Sequence, residues 1–122
     1  MKWVYVFIGG GLGSVCRFAL SGLFASITTL FPWATLVANA VAAALIGWLF
    51  ASQMKSEKEI FWQLFAVGFC GGLSTFSTFS LETIQLMRSG NQTLAWLYVF
   101  LSVSLSLLLF YLLSLWFQRN CV

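Results

Sequence analysis

Histidine is absent from this 122-residue chain, and its three acids are all glutamates. Without histidine, the commonest general base and metal ligand is gone. Charge of either sign is scarce. Charged residues make up 7% of the chain, against roughly 25% in soluble domains, which argues against a water-soluble globular fold. The six lysines and arginines are scattered and leave a net charge of only +3, too sparse for a nucleic-acid surface. The three cysteines, Cys16, Cys70 and Cys121, form no CxxC pair. They lack the spacing of a zinc site and read as small hydrophobes. No nucleophile–base pair or phosphate loop appears, and the glycines at 9–13 follow no strand, so a nucleotide fingerprint is not credible. The chain reads as a non-enzyme.

What the chain has in abundance is apolar surface, with 61% hydrophobic residues and a mean hydropathy of +0.95. Four apolar segments stand out: Trp3 to Leu30, Trp33 to Met54, Ile60 to Met87 and Leu94 to Phe117. Each meets the ~20 residues that cross a bilayer as a helix. Lys2 before an apolar run resembles a signal peptide, but the run is too long and reads as a retained first helix. The connections are short: Phe31-Pro32-Trp33 around the single proline, a charge cluster from Ser52 to Glu59, and a turn at Arg88-Ser89-Gly90-Asn91-Gln92. The expectation is an all-α integral membrane protein, one four-helix domain over residues 1–122. Four helices alone close on their own side chains, so an aqueous pathway would need more than one subunit. Small-residue spacings, Gly9 with Gly13, Ala38 with Ala42 and Ala43 with Gly47, suit close helix contact, either within one subunit or between two.

The most informative stretch runs from Gly68 to Glu82: GFCGGLSTFSTFSLE. Paired glycines weaken a helix, and backbone groups freed from a helix cannot face hydrocarbon unsatisfied. The segment therefore reads as a third helix broken at its centre, at a functional site. Phe76 and Phe79, three residues apart, lie on one helical face; their electropositive ring edges can face an anion. Thr75, Thr78 and Glu82 form a second stripe. In the last span Tyr98, Ser102 and Ser106 recur every four residues, and Ser114 continues the line. One serine can satisfy its own backbone, but that does not explain the alignment. Asn39 is an amide inside the second span; it bonds a neighbouring helix or offers its donors to an anion. Arg17 in the first span is costly at that depth and marks an ion path or a buried partner, or its long side chain snorkels to the interface. Glu82 pairs with Arg17 or lies at a cavity mouth.

Together these residues resemble the Fluc (CrcB-type) fluoride channels, over essentially the whole chain. Gly10-Gly11-Leu12-Gly13-Ser14-Val15-Cys16-Arg17-Phe18 is similar to the family's first-helix motif, and Thr35-Leu36-Val37-Ala38-Asn39 to its second. The stretch from Gly68 to Glu82 is close to its most specific signature. The resemblance implies passive fluoride export by a dual-topology dimer of antiparallel four-helix subunits in the cell membrane. It implies a structural sodium ion at the dimer centre, held by the backbone carbonyls of Gly71 and Ser74. It maps the pore phenylalanines to Phe76 and Phe79, the pore amide to Asn39, and the polar track to Tyr98, Ser102 and Ser106. Ser74 stands where the family often has threonine, a change that a backbone ligand tolerates.

Two rival readings are a small multidrug-type cation exporter and a non-transporting assembly subunit. The exporter needs an exchangeable carboxylate in the membrane, and the first span has none. The assembly subunit leaves the hydroxyl stripes unexplained. On orientation, Lys2, Lys55, Lys58 and Arg119 lie on one side of a four-span arrangement and Arg88 on the other, which favours cytoplasmic termini. An evenly inserted homodimer should have little bias. Because Asn39, Phe76 and Phe79 occur together, an antiparallel homodimer is expected, with a heterodimer of paired homologues as the alternative.

Overall fold

The computed structural model describes residues 1–53 and 59–120. Met54, Lys55, Glu57, Lys58 and Cys121, on which the end of the second span and much of the charge bias rest, lie outside the described residues. Within them the protein is all-helical, and four helices are long and apolar enough to cross a membrane.

Helix α1 covers Lys2–Phe24 and ends well short of the Leu30 expected from hydropathy. The reason is local. Ser26, Thr28 and Thr29 carry hydroxyls that compete for backbone groups, and Ile27, Thr28 and Thr29 are β-branched. The chain tightens into short-range bonds instead, Ile27 N–H to Phe24 O at 3.0 Å and Thr29 N–H to Ile27 O at 2.9 Å. Helix α2 covers Trp33–Gln53. Pro32 precedes it, lacking an N–H where none is needed, and its carbonyl accepts from Leu36 N–H at 3.3 Å.

The third span is not one regular helix. Its first half, α3 (residues 59–73), begins as α-helix at Glu59–Phe61, widens to π-helix over Trp62–Cys70 and returns to α geometry at Gly71–Leu73. Such i→i+5 stretches are rare and gather at functional sites; no periodicity in the sequence pointed to this one. Its second half, α4, covers Phe76–Arg88. A turn with Gly90 at φ +85°, a left-handed conformation that glycine takes without strain, leads into α5, Gln92–Asn120. At 29 residues, α5 is roughly 44 Å long.

The paired glycines are not the break. Gly71 and Gly72 are helical, and the chain leaves the helix at Ser74 and Thr75. Gly72 serves close approach: a Cβ there would lie 3.0 Å from the Cα of Gly10. Gly13 meets the same third span from the other side, where a Cβ would lie 2.8 Å from Leu73 N. Gly9 and Gly13, the spaced pair of the first span, are thus spent inside the subunit. Ala38 and Ala42 are likewise buried, beside Ala66, Cys70 and Leu73. These faces therefore lend no support to oligomerisation. A second cluster gathers Leu36, Phe79, Leu86, Ala95 and Tyr98 from α2, α4 and α5. The break lies between the two clusters, against α2.

Candidate functional site: the break in the third span

Ser74 (φ −74°, ψ 151°) and Thr75 (φ −150°, ψ 117°) are extended. Ser74 N–H still closes a helical bond to Cys70 O at 2.9 Å. Thr75 N–H would close the next one, on Gly71 O, but turns instead to Asn39 Oδ1 at 2.8 Å. The Asn39 Nδ2 amide donates to Thr75 O at 3.4 Å. One side chain from α2 thus brackets both backbone groups of Thr75, which is the satisfaction that a broken helix at membrane depth requires. The other end is closed by Thr75 itself, whose Oγ1 accepts from Thr78 N–H at 3.3 Å and so caps α4. Thr75 Oγ1 also donates to Thr78 Oγ1 at 3.2 Å. Both readings of Asn39 were open; the geometry commits its oxygen and one N–H to the break and leaves the second N–H.

Beside the break lies an open groove of about 390 Å³ between α2, the third span and α5. Its polar lining is Asn39, Ser74, Thr75, Ser102 and Ser106, set among apolar side chains such as Ile46, Val103 and Leu107. Phe76 and Phe79 complete it, with ring centroids 5.6 Å apart. The two rings differ: Phe79 is 9% exposed and Phe76 79%, so Phe76 stands out from the subunit.

The serines of α5 also divide. Ser114 Oγ bonds Tyr111 O at 2.8 Å, the backbone satisfaction available to any helical serine. Ser102 does otherwise. It is 6% exposed, lines the groove, and its Oγ has no hydrogen-bond partner. Buried polar atoms are rarely left so.

Tyr98 lies off the groove. It is fully buried, and its O–H donates to Glu82 Oε2 at 2.7 Å. Thr35 Oγ1 donates to Glu82 Oε1 at 2.8 Å. Glu82 is therefore held by two hydroxyls and not by Arg17. Among the described residues the ion pair is Lys2 with Glu59. Arg17 is half-buried, and its Nε donates to Gly72 O at 3.4 Å, on the final turn of α3. Thr78 is taken up by the cap. Thr35 was missed in the sequence, although it precedes Asn39 by four residues and shares its helix face.

Comparison with known proteins places this arrangement. The model for the family described as "CrcB-like protein, Camphor Resistance (CrcB)" matches residues 4–113. The chain belongs to the CrcB family. Relatives of this CrcB chain include a fluoride-specific ion channel FluC of Pyrococcus abyssi, 42% identical over 110 residues, or 86% of each chain. The fluoride-specific ion channel FluC of an Escherichia coli strain is 44% identical over 115 residues, 89% of this chain and 91% of its own. That of Pyrococcus furiosus is 41% identical over 112 residues, 88% of each. With four spans of suitable length and composition, this CrcB protein is a multi-pass membrane protein. Gly71 bears on the ion expected at the break. Its carbonyl has lost the Thr75 donor, and Gly71 is an exposed residue. An uncharged hard oxygen with no helix partner fits a small hard cation.

Proposed function

We propose that this chain is the subunit of a passive, fluoride-selective channel. The observation that carries the reading is the groove: a clipped helix break, two phenylalanine rings and a buried serine hydroxyl without a partner, in a chain 41–44% identical to fluoride-specific channels. Fluoride holds its hydration shell tightly, so a pore must offer closely placed donors in exchange. Ser102, Ser106 and the second N–H of Asn39 supply O–H and N–H donors. The ring edges of Phe76 and Phe79 supply weak positive charge, which attracts an anion without trapping it. The protein is a conduit and not an enzyme. The exporter reading has no acid in the first span, and Glu82 is engaged by two hydroxyl donors.

The working unit is an antiparallel dimer. The groove is open along its length, and Phe76 projects from it almost fully exposed. A second copy would cover both. In the full sequence Lys2, Lys55, Lys58 and Arg119 lie on one side of the four-span arrangement and Arg88 on the other, a bias of only three residues. Because Asn39, Phe76 and Phe79 occur together in one chain, the homodimer is favoured, and a pair of homologues of fixed orientation is the alternative. A structural sodium ion would sit on the carbonyls of Gly71 and Ser74. There it would supply charge to backbone oxygens that the break leaves over, and it would not be transported.

Liposomes loaded with fluoride test the channel. Purified protein is expected to release fluoride as soon as an ionophore shunts the charge, and to retain chloride. Release no faster than from protein-free liposomes, or equal release of chloride, would refute the proposal. Labelling a terminal cysteine from each side of the membrane, with this chain expressed alone, tests the dimer. One-sided labelling with no flux until a homologue is added would replace the homodimer.

A further inference from the structure

We propose that Phe31, in the connection between α1 and α2, is a positioning residue for the groove phenylalanines, acting through Tyr98. The inference rests on the channel reading and adds a residue that lies outside the groove. Five rings follow one another without a gap. Trp33 and Phe31 have centroids 4.6 Å apart, Phe31 and Tyr98 5.5 Å, Tyr98 and Phe79 5.1 Å, and Phe79 and Phe76 5.6 Å. Each separation falls within the range at which aromatic pairs attract.

Tyr98 is the joint of this line. Its hydroxyl is tied to Glu82 at 2.7 Å. That bond fixes the far end of the ring, but its oxygen lies on the axis about which the ring turns, so it constrains the ring plane only through the preference of the phenol O–H for that plane. The plane is set by what touches the faces and edges. Phe79 meets the ring at an interplanar angle of 49°, and Phe31 meets it at 84°, an edge-to-face contact. Phe31 packs against the cluster that holds Phe79, Leu86, Ala95 and Tyr98. Remove its ring and Tyr98 keeps its hydrogen bond but loses the wall that orients it. Phe79 then loses the fixed surface behind it, and its edge no longer holds one position in the groove.

A purely space-filling Phe31 would make a different forecast, and two substitutions separate them. Phe31→Leu keeps apolar bulk without a ring; Phe31→Tyr keeps the ring. In liposomes, Phe31→Leu is expected to slow fluoride release about two- to tenfold, the equivalent of one aromatic pair, while Phe31→Tyr stays near wild type. Gel filtration is expected to show the same folded species for both. A Phe31→Leu channel at wild-type rate overturns the proposal. So does a Phe31→Tyr channel as slow as Phe31→Leu, or a slow Phe31→Leu channel that has lost its folded peak. A second readout is independent of transport. The chain has three tyrosines, and with 3-fluorotyrosine incorporated the Tyr98 line is assigned by its loss in Tyr98→Phe. That line is expected to shift or broaden in Phe31→Leu, and an unmoved line overturns the contact. A wild type that passes no fluoride would withdraw the channel reading itself, while the Tyr98 line would still decide whether Phe31 orients that ring.

Discussion

Asn39→Ala removes the clip on the break, and its effect follows from the bonds lost. Thr75 N–H loses an acceptor at 2.8 Å and Thr75 O a weaker donor at 3.4 Å. The site is half-buried at membrane depth, where water is a poor substitute. One buried group left unsatisfied costs about 1–3 kcal/mol, and the long second bond counts toward the low end. The broken conformation should therefore lose about 2–4 kcal/mol, a shift of about 30- to 700-fold in its population at 1.4 kcal/mol per tenfold. Thr75 N–H has an alternative acceptor close by, since closing an α turn on Gly71 O would straighten the span. The expected result in liposomes is a loss of fluoride release, together with lower thermal stability in detergent. Asn39→Asp separates the clip from the pore donor. It keeps an oxygen for Thr75 N–H but removes the donor and adds negative charge beside an anion path. It should melt below wild type, because a carboxylate oxygen now faces Thr75 O at membrane depth where the amide donated, and it should conduct far less. An Asn39→Ala protein with wild-type flux and wild-type melting would refute the reasoning.

Other consequences follow from the same groove. Ser102→Ala deletes a buried hydroxyl that has no partner; melting should hold steady or rise, by the equivalent of about 1 kcal/mol, while fluoride release falls, and unchanged release would remove Ser102 from the path. Phe76→Ile and Phe79→Ile keep bulk and lose the ring edge, so flux should fall severely in each. Phe79→Ile should also lower the melting temperature, because it alone breaks a contact with Tyr98, worth about 0.5–1.5 kcal/mol. Exhaustive replacement of sodium by a large organic cation should weaken the dimer or its activity, and a protein indifferent to that exchange lacks the proposed ion.

The membrane character, the four spans and the neighbourhood of the break were legible in sequence, because hydropathy and the composition from Gly68 to Glu82 are local properties. A run of apolar residues must face lipid or core whatever its partners are, and Ser-Thr after paired glycines disfavours a continuous helix wherever it lies. Asn39, Ser102 and the phenylalanine pair were singled out on the same ground, as polar or aromatic groups in a setting that penalises or repeats them. What each of them does was decided by tertiary contact. Gly72 proved to be a place where α3 touches α1 backbone to backbone, and the break fell two residues later, where Asn39 could take the Thr75 amide. Tyr98 shared a helix face with Ser102, yet Glu82 drew its hydroxyl away from the groove. Glu82 and Arg17 were the natural ion pair on a line of text and found different partners in space. Phe31 carried no motif at all. Hydrogen bonds and ring contacts between residues 16 to 67 positions apart depend on how the helices are set against each other, and no local pattern encodes that setting.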